Sequence, residues 1–126
     1  MACSGDGVLH ELINALVKRP DWETFKETIV LSMIPGGTSN GYCASILRSS
    51  GEKYGVLEAT YKLLAGKRSY MDLVELNGEY ETSKIYMFLM FSWGLIADIA
   101  QNSESMRCLG TGRYTVRALY RMCWMP

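Results

Sequence analysis

Two glycine-rich turns, each placed directly before a helical pattern, constrain the fold of this chain more than any other feature. SGDG (Ser4–Gly7) precedes apolar residues at helical spacing, and this helix is predicted to end before Pro20. PGGTSN (Pro35–Asn40) follows the apolar run Ile29–Ile34, which is typical of a short strand. Two more helices are predicted downstream, over Tyr42–Leu47 and over Val56–Leu64 with its end at Gly66. Helix, strand and helix joined by glycine turns indicate an α/β layer.

The second half of the chain changes character near Lys67. The Asn-Gly pair of NGEYET lies between extended runs and predicts a β-hairpin. The apolar run Ile85–Ala97 is predicted as a strand buried on both faces, with its aromatic side chains in the core. A last amphipathic helix is predicted from Gly112. We therefore expect an α+β chain: a partial α/β nucleotide-binding domain over residues 1–66, followed over residues 67–126 by the start of an antiparallel β-rich domain.

Charge and cysteine content exclude several classes of protein. Lys plus Arg and Asp plus Glu number 13 each, so the net charge is zero, whereas a duplex nucleic-acid binder carries a basic excess. The 4 cysteines include no C-x-x-C pair, which argues against a zinc site and indicates reduced thiols in a cytoplasmic protein. The most apolar run is shorter than the ~20 residues of a membrane helix. Neither a membrane span nor a signal peptide is predicted.

The residues of the two turns allow two interpretations each. Asp6 lies between glycines at a helix start, where a carboxylate can be the base of a phosphoryl transfer or can simply cap the helix. In PGGTSN the glycine amides and the hydroxyls of Thr38 and Ser39 can donate to phosphate oxygens. The same residues are equally suited to an αL turn with a helix cap. Loops at the carboxyl ends of strands are where such sheets bind ligands, so the pair of turns favours an anion site.

Three segments together resemble one family. SGDGVLHELINALVKRPDWE, IPGGTSNGYCASIL and FSWGLIADIAQNSESMRCLGTGRYT are similar, in order and spacing, to motifs of the sphingosine kinase branch of the diacylglycerol kinase catalytic superfamily. The resemblance covers nearly the whole chain. It implies a partial diacylglycerol kinase-type catalytic domain over residues 1–66 and a partial β-rich lipid-binding domain over residues 67–126.

The resemblance also implies roles for particular positions. Asp6 matches the catalytic base that activates the primary hydroxyl of a lipid. The positions that match nucleotide contacts are Gly5, Gly7, Gly37, Thr38, Asn40, Arg107 and Arg113. A guanidinium is a fork-shaped donor that suits phosphate. Arg117 and Arg121 have no such match, and we predict that they are surface charges.

The lipid site implied by the resemblance departs from the family pattern. Asp98 matches an acidic position beside the lipid head group, and we expect it at the end of an apolar strand. Sphingosine kinases of animals and plants typically carry another aspartate two residues later, where this chain has Ala100. An alanine cannot pair with an ammonium group. Glu104 is a partial substitute, and lipids such as diacylglycerol or ceramide stay open as substrates.

The function implied is that of an ATP-dependent lipid kinase, which transfers the γ-phosphate to a primary hydroxyl of a sphingoid base. Its cofactors are ATP and Mg²⁺, with the metal held mainly by the nucleotide and by no protein ligand. The expected partners are ATP, the lipid and, transiently, a membrane surface, with peripheral membrane association from the cytoplasm. The oligomeric state is not predicted. The family's domain extends beyond both ends of this sequence, so the alternative is a non-catalytic fragment that binds a nucleotide or a partner.

Overall fold

A computed structural model describes residues 1–78 and 84–124 of the chain. Contacts between residues divide it into two compact units, of which Met1–Leu89 is the first and the second begins at Met90. The first unit contains, in chain order, β1 (Ala2–Ser4), α1 (Asp6–Val17), α2 (Trp22–Phe25), β2 (Met33–Pro35), α3 (Gly41–Ser49), α4 (Val56–Ala65), β3 (Val74–Leu76) and β4 (Ile85–Met87). The second contains α5 (Gly94–Asn102), a 3₁₀ helix (Glu104–Leu109) and α6 (Gly112–Cys123).

A short parallel pair of strands places the two glycine-rich turns at one edge. β1 pairs with β2 in the register Ala2↔Met33, Cys3↔Ile34 and Ser4↔Pro35. Because the strands are parallel, their carboxyl ends coincide, and the SGDG and PGGTSN turns leave the sheet side by side. α1 follows the first turn and α3 follows the second. The sheet therefore brings together sequence segments that lie about 35 residues apart.

One face of each of these helices is buried in a common core. On α1 the buried side chains are Leu9 and Ile13, and on α3 they are Cys43 and Leu47. A spacing of four residues puts each pair on one helix face. α4 ends where Gly66 adopts a left-handed conformation with φ of 67°, which glycine reaches without a Cβ penalty. The core residues are Leu9, Ile13, Met33, Cys43, Leu47 and Ala59.

An antiparallel pair of strands is joined to α1 by one side chain. β3 and β4 pair in the register Val74↔Met87, Glu75↔Tyr86 and Leu76↔Ile85. The side-chain amide of Asn14 donates to Tyr86 O at 2.8 Å, and the Tyr86 N–H donates to Asn14 Oδ1 at 2.9 Å. This reciprocal contact occupies backbone groups of β4 and fixes that strand to α1.

The predicted class and most predicted helices are confirmed. Parallel pairing is followed along the chain by antiparallel pairing, among several helices, so the chain is α+β. The helices after both turns, the helix that ends at Gly66 and the helix from Gly112 all form. The hairpin partners also pair, although residues 79–83 of the NGEYET connection lie outside the described residues. No helix in the part of the chain that is described is long and apolar enough to cross a membrane.

The extent of two predicted strands is wrong. The run Ile29–Ile34 contributes only its end to β2, which spans Met33–Pro35, because its partner β1 offers only 3 residues. The run Ile85–Ala97 is not one doubly buried strand: β4 ends at Met87 and α5 begins at Gly94. Gly94 has a φ of 63°, which interrupts the extended backbone. The prediction that the aromatic side chains of this run lie in the core is also wrong for Phe91 and Trp93. Both side chains are exposed, and the exposed fraction of Trp93 is 78%.

Candidate functional site

The two glycine-rich turns touch through their backbones. A Cβ atom on Gly37 would lie 2.4 Å from Gly5 Cα and 2.8 Å from Gly5 N, well inside van der Waals contact. A Cβ on Gly5 would lie 3.2 Å from Gly37 Cα. Neither glycine has a positive φ, so glycine is required at these positions by space and not by backbone conformation. The contact makes the two turns one continuous surface.

The second turn is closed by the side chain of Asn40. Its Oδ1 accepts a hydrogen bond from Gly37 N at 2.9 Å, and its Nδ2 donates to Gly37 O at 2.8 Å. The same Nδ2 donates to the hydroxyl of Tyr54 at 2.9 Å. Thr38, between these residues, is exposed. Asn40 thus holds the shape of the turn, and Thr38 faces solvent from it.

Asp6 connects the two turns by capping a helix other than its own. Its Oδ2 accepts from Gly41 N at 2.7 Å and its Oδ1 accepts from Tyr42 N at 3.1 Å. Both amides belong to the first turn of α3, whose N–H groups have no partner within the helix. The sequence also allows a simple cap on the helix that Asp6 itself begins, but α1 has no side-chain cap among the described residues. The carboxylate instead satisfies the helix that follows PGGTSN, and is held there by the positive end of the helix dipole.

The start of α1 is consequently open. Its N-cap, Gly5, has an extended backbone and makes no side-chain capping bond among the described residues. A Cβ on Gly7 would meet no described atom within 4 Å, so there is free space beside the first turn. The start of a helix of 12 residues without a side-chain cap, together with open space, suits a phosphate group. The donors present at the paired turns therefore suit an anion such as a phosphate group.

Arg107 and Arg113 share an acidic partner in the second unit. Arg107 Nε donates to Glu104 Oε2 at 2.6 Å, and Arg113 Nη1 lies 3.1 Å from Glu104 Oε1. The Arg113 side chain is only 7% exposed and also donates to the hydroxyl of Tyr114 at 2.6 Å. The hydrogen bond from Arg107, and then the nearby guanidinium charges, lower the pKa of Glu104. Glu104 is thus engaged with two guanidinium groups.

Asp98 lies on α5 and not, as expected, at the end of a strand. Its Oδ1 accepts from Asn102 Nδ2 at 2.6 Å, one helical turn later. Its Oδ2 forms an ion pair with Arg121 of α6, so Arg121 is not the free surface charge that the sequence predicts. Ala100 is exposed on the same helix. Asp98 lies in a helix because the extended backbone is interrupted at Gly94, where α5 begins. Its pairing with Arg121 follows from the packing of α5 against α6, which only the folded unit reveals.

The candidate residues fall into two groups. Gly5, Asp6, Gly7, Gly37, Thr38 and Asn40 lie together in the first unit, and Asp98, Arg107 and Arg113 lie in the second. Sequence reasoning missed the amides of Gly41 and Tyr42, for which a helix start directly after PGGTSN was the available signal. It also missed Arg121, although the spacing of arginines along α6 was visible. Within residues 1–78 and 84–124, no three His, Cys, Asp or Glu side chains cluster as metal ligands.

Comparison with known proteins identifies the family. Residues 1–76 match the diacylglycerol kinase catalytic domain. Sphingosine kinase 1 of Arabidopsis thaliana is 34% identical over 94% of this chain and 24% of its own length. Sphingosine kinase 1 of Mus musculus is 36% identical over 94% of this chain and 32% of its own. Sphingoid long chain base kinase 4 of Schizosaccharomyces pombe is 32% identical over 100% of this chain and 26% of its own.

The chain therefore spans about a quarter to a third of the length of these three relatives. The family match covers more than half of the chain, and it includes both glycine-rich turns and the carboxylate that joins them. The chain belongs to the diacylglycerol kinase catalytic domain family.

Proposed function

We propose that this chain is part of an ATP-dependent lipid kinase, which transfers the γ-phosphate of ATP to a primary hydroxyl of a sphingoid base. The observation that carries the proposal is the junction of the two turns: Gly5 and Gly37 in backbone contact, with Asp6 beside them and an uncapped helix start next to it. The names of the relatives, sphingosine and sphingoid base kinases, support the choice of lipid.

The first unit supplies the groups that hold the nucleotide in this proposal. Amides of Gly5 and Gly7, with the exposed Thr38, donate to phosphate oxygens. Gly37 contributes the close approach of the two turns, because its own N–H is held by the Asn40 side chain. Bound ATP supplies the phosphoryl group, and Mg²⁺ is carried mainly by its phosphates. We further propose residues 1–66 as the nucleotide-binding part and residues 67–126 as the lipid-binding part.

Asp6 is the proposed base. Its carboxylate takes the proton of the lipid hydroxyl, whose oxygen bonds to the γ-phosphorus while the bond to the bridging oxygen breaks and ADP leaves. The amides of Gly41 and Tyr42 fix the orientation of the carboxylate. Fixed orientation matters because phosphoryl transfer depends mainly on positioning and on electrostatic stabilisation.

The second unit supplies charge and the lipid contact in this proposal. Arg107 and Arg113 donate to phosphate oxygens once Glu104 is displaced from them. Asp98 accepts a hydrogen bond from the lipid head group. The lipid is presented at a membrane surface, which the protein reaches from the cytoplasm as a peripheral protein.

One observation favours a second function, the binding of a nucleotide or partner without phosphoryl transfer. Both carboxylate oxygens of Asp6 already accept hydrogen bonds from α3, so the residue also has a complete structural role without chemistry. In that case the turns bind phosphate and Asp6 serves only to hold them together.

Gly7→Ala tests the nucleotide site, and Gly112→Ala is its matched control. Both glycines lie in the first turn of a 12-residue helix, and a Cβ on either meets no described atom within 4 Å. Neither substitution should lower stability, because alanine is the better helix former. In calorimetric titrations with MgATP, Gly7→Ala should bind on the order of tenfold more weakly, since its methyl group blocks the approach of phosphate to the helix amides. Gly112→Ala should bind normally.

Asp6→Asn separates the two functions. If Asp6 is the base, phosphorylation of a sphingoid base by the chain should fall about a hundredfold or more. This fall should exceed any fall in MgATP affinity, because asparagine still offers one acceptor to the two amides of α3. ATP binding that depends on Gly7, with no phosphorylation by the unaltered chain, favours the second function. A chain that binds no MgATP contradicts the first function and leaves partner binding as the form of the second.

A further inference from the structure

The ion pair between Asp98 and Arg121 occupies the residue proposed to receive the lipid head group. Arg121 is two-thirds buried, with 34% of its side chain exposed, and Asp98 has 28% exposed. The other carboxylate oxygen of Asp98 accepts from Asn102 Nδ2 at 2.6 Å. Both oxygens are therefore engaged by side chains of the same unit. Nothing in the family resemblance assigned a role to Arg121.

A surface hollow opens beside this pair. It has a volume of about 490 Å³ and is lined by Gly94, Leu95, Ala97, Asp98, Gln101 and Arg121. The polar side chains of the lining are those of Asp98, Arg121 and Gln101, and the other lining residues are small or apolar. A hollow of this composition suits a head group next to an apolar chain.

The charge of this hollow depends on Arg121. An isolated carboxylate attracts an ammonium group, but a carboxylate in contact with a guanidinium presents almost no net charge to a third group. A hydroxyl can donate to the carboxylate and accept from the guanidinium, so it fits the intact pair. An ammonium has no acceptor atom, and it must either displace Arg121 or bind beside a like charge.

We propose that Arg121 is a specificity-determining residue, which reduces the advantage that a cationic sphingoid base would otherwise have over neutral, hydroxyl-bearing lipids at the head-group site. This inference rests on the proposed role of Asp98 in the proposed function. It also gives a physical consequence to Ala100, which leaves the site without a second carboxylate that would restore negative charge.

The test compares two lipids with the same chain and hydroxyl groups, of which one has a cationic nitrogen and the other a neutral one: a short-chain, water-soluble sphingoid base and its N-acetyl derivative. Their affinities for the full chain are measured by calorimetry for the wild type, Arg121→Gln, Arg121→Lys and Arg117→Gln. Arg117 lies one turn earlier on α6, is half-buried against the Tyr120 ring at 5.0 Å, and forms no ion pair with any described residue, so it is the matched control.

Arg121→Gln should bind the amine on the order of tenfold more tightly, with the affinity for the N-acetyl lipid nearly unchanged. The gain should shrink as salt is raised, because the attraction is electrostatic. Arg121→Lys should keep the wild-type ratio of the two affinities, since it keeps the cation, and so should Arg117→Gln. If Arg121 had a purely structural role, Arg121→Gln would instead bind both lipids more weakly, and by a similar factor.

An unchanged ratio of affinities in Arg121→Gln overturns the inference and leaves the proposed function standing. Equal weakening of both lipids likewise overturns it. If the wild type and Arg117→Gln bind neither lipid, the lipid-binding part of the proposed function fails, and this inference fails with it. MgATP binding, measured on the same samples, reports separately on the nucleotide site.

Discussion

Replacing Gly37 by alanine tests the contact on which the candidate site depends. The new methyl carbon would lie 2.4 Å from Gly5 Cα and 2.8 Å from Gly5 N. Ordinary carbon contacts are about 3.5–4.0 Å, so the turns must separate by roughly 1 Å. Both neighbours are backbone atoms, which cannot move aside by a change of rotamer.

The expected loss of stability follows from this displacement. Overpacking of a close contact costs roughly 1–3 kcal/mol. Opening the turn also strains the hydrogen bonds that join Gly37 to the Asn40 side chain, each with a net value of about 1 kcal/mol. We expect a decrease of about 3 kcal/mol in the free energy of unfolding. For a unit of this size that corresponds to a melting temperature lower by ~10 °C or more.

Gly36→Ala is the matched control within the same turn. A Cβ on Gly36 comes no closer than 3.4 Å to any described atom, and neither Gly36 nor Gly37 has a positive φ. Urea unfolding followed by far-ultraviolet circular dichroism gives the stability of both variants. MgATP titration, done at a temperature where each variant is folded, gives the affinity. Gly37→Ala should lose stability and ATP affinity, while Gly36→Ala should lose less than ~1 kcal/mol.

Equal stability of the two variants would refute the reasoning, because the turns would then not be in the contact described. A stable Gly37→Ala variant with normal ATP affinity would further show that the paired turns do not form the phosphate site.

Two other predictions concern the first unit. Asn14→Ala should lower the free energy of unfolding by about 2 kcal/mol, because it leaves the Tyr86 N–H and C=O without their side-chain partner. The control is Glu11→Ala, at an exposed position on the same helix, which should change the free energy of unfolding little. Equal effects of the two substitutions in urea unfolding would contradict the prediction. Hydrogen bonding, first from Lys84 and then from Tyr86, lowers the pKa of Glu75 from 4.5 to about 2. This contribution to stability is therefore present above pH 4.5 and is lost as the pH falls towards 2. Between these pH values, the free energy of unfolding of Glu75→Gln should fall less steeply with decreasing pH than that of the wild type. Identical pH profiles of the two proteins would exclude a contribution of Glu75 to stability.

Much of the local structure was predictable from the sequence because its causes are local. The apolar spacing of α1 and α3 determines which helix face is buried, and Gly66 ends α4 because a left-handed residue is needed there. Strand lengths were not predictable in this way. An apolar run forms a strand only as far as a partner extends, and β1 and β3 offer 3 residues each.

The candidate site shows the same division. The sequence by itself determined the two glycine-rich turns, the helices after them and the family, because motifs and periodicity are properties of contiguous residues. Only the tertiary structure decided that Asp6 caps α3, that Gly37 must lack a Cβ because of Gly5, and that Asp98 is paired with Arg121. Each of these depends on the atom that a distant segment places within a few ångströms, and hydrogen bonds, steric contacts and ion pairs act only over such distances.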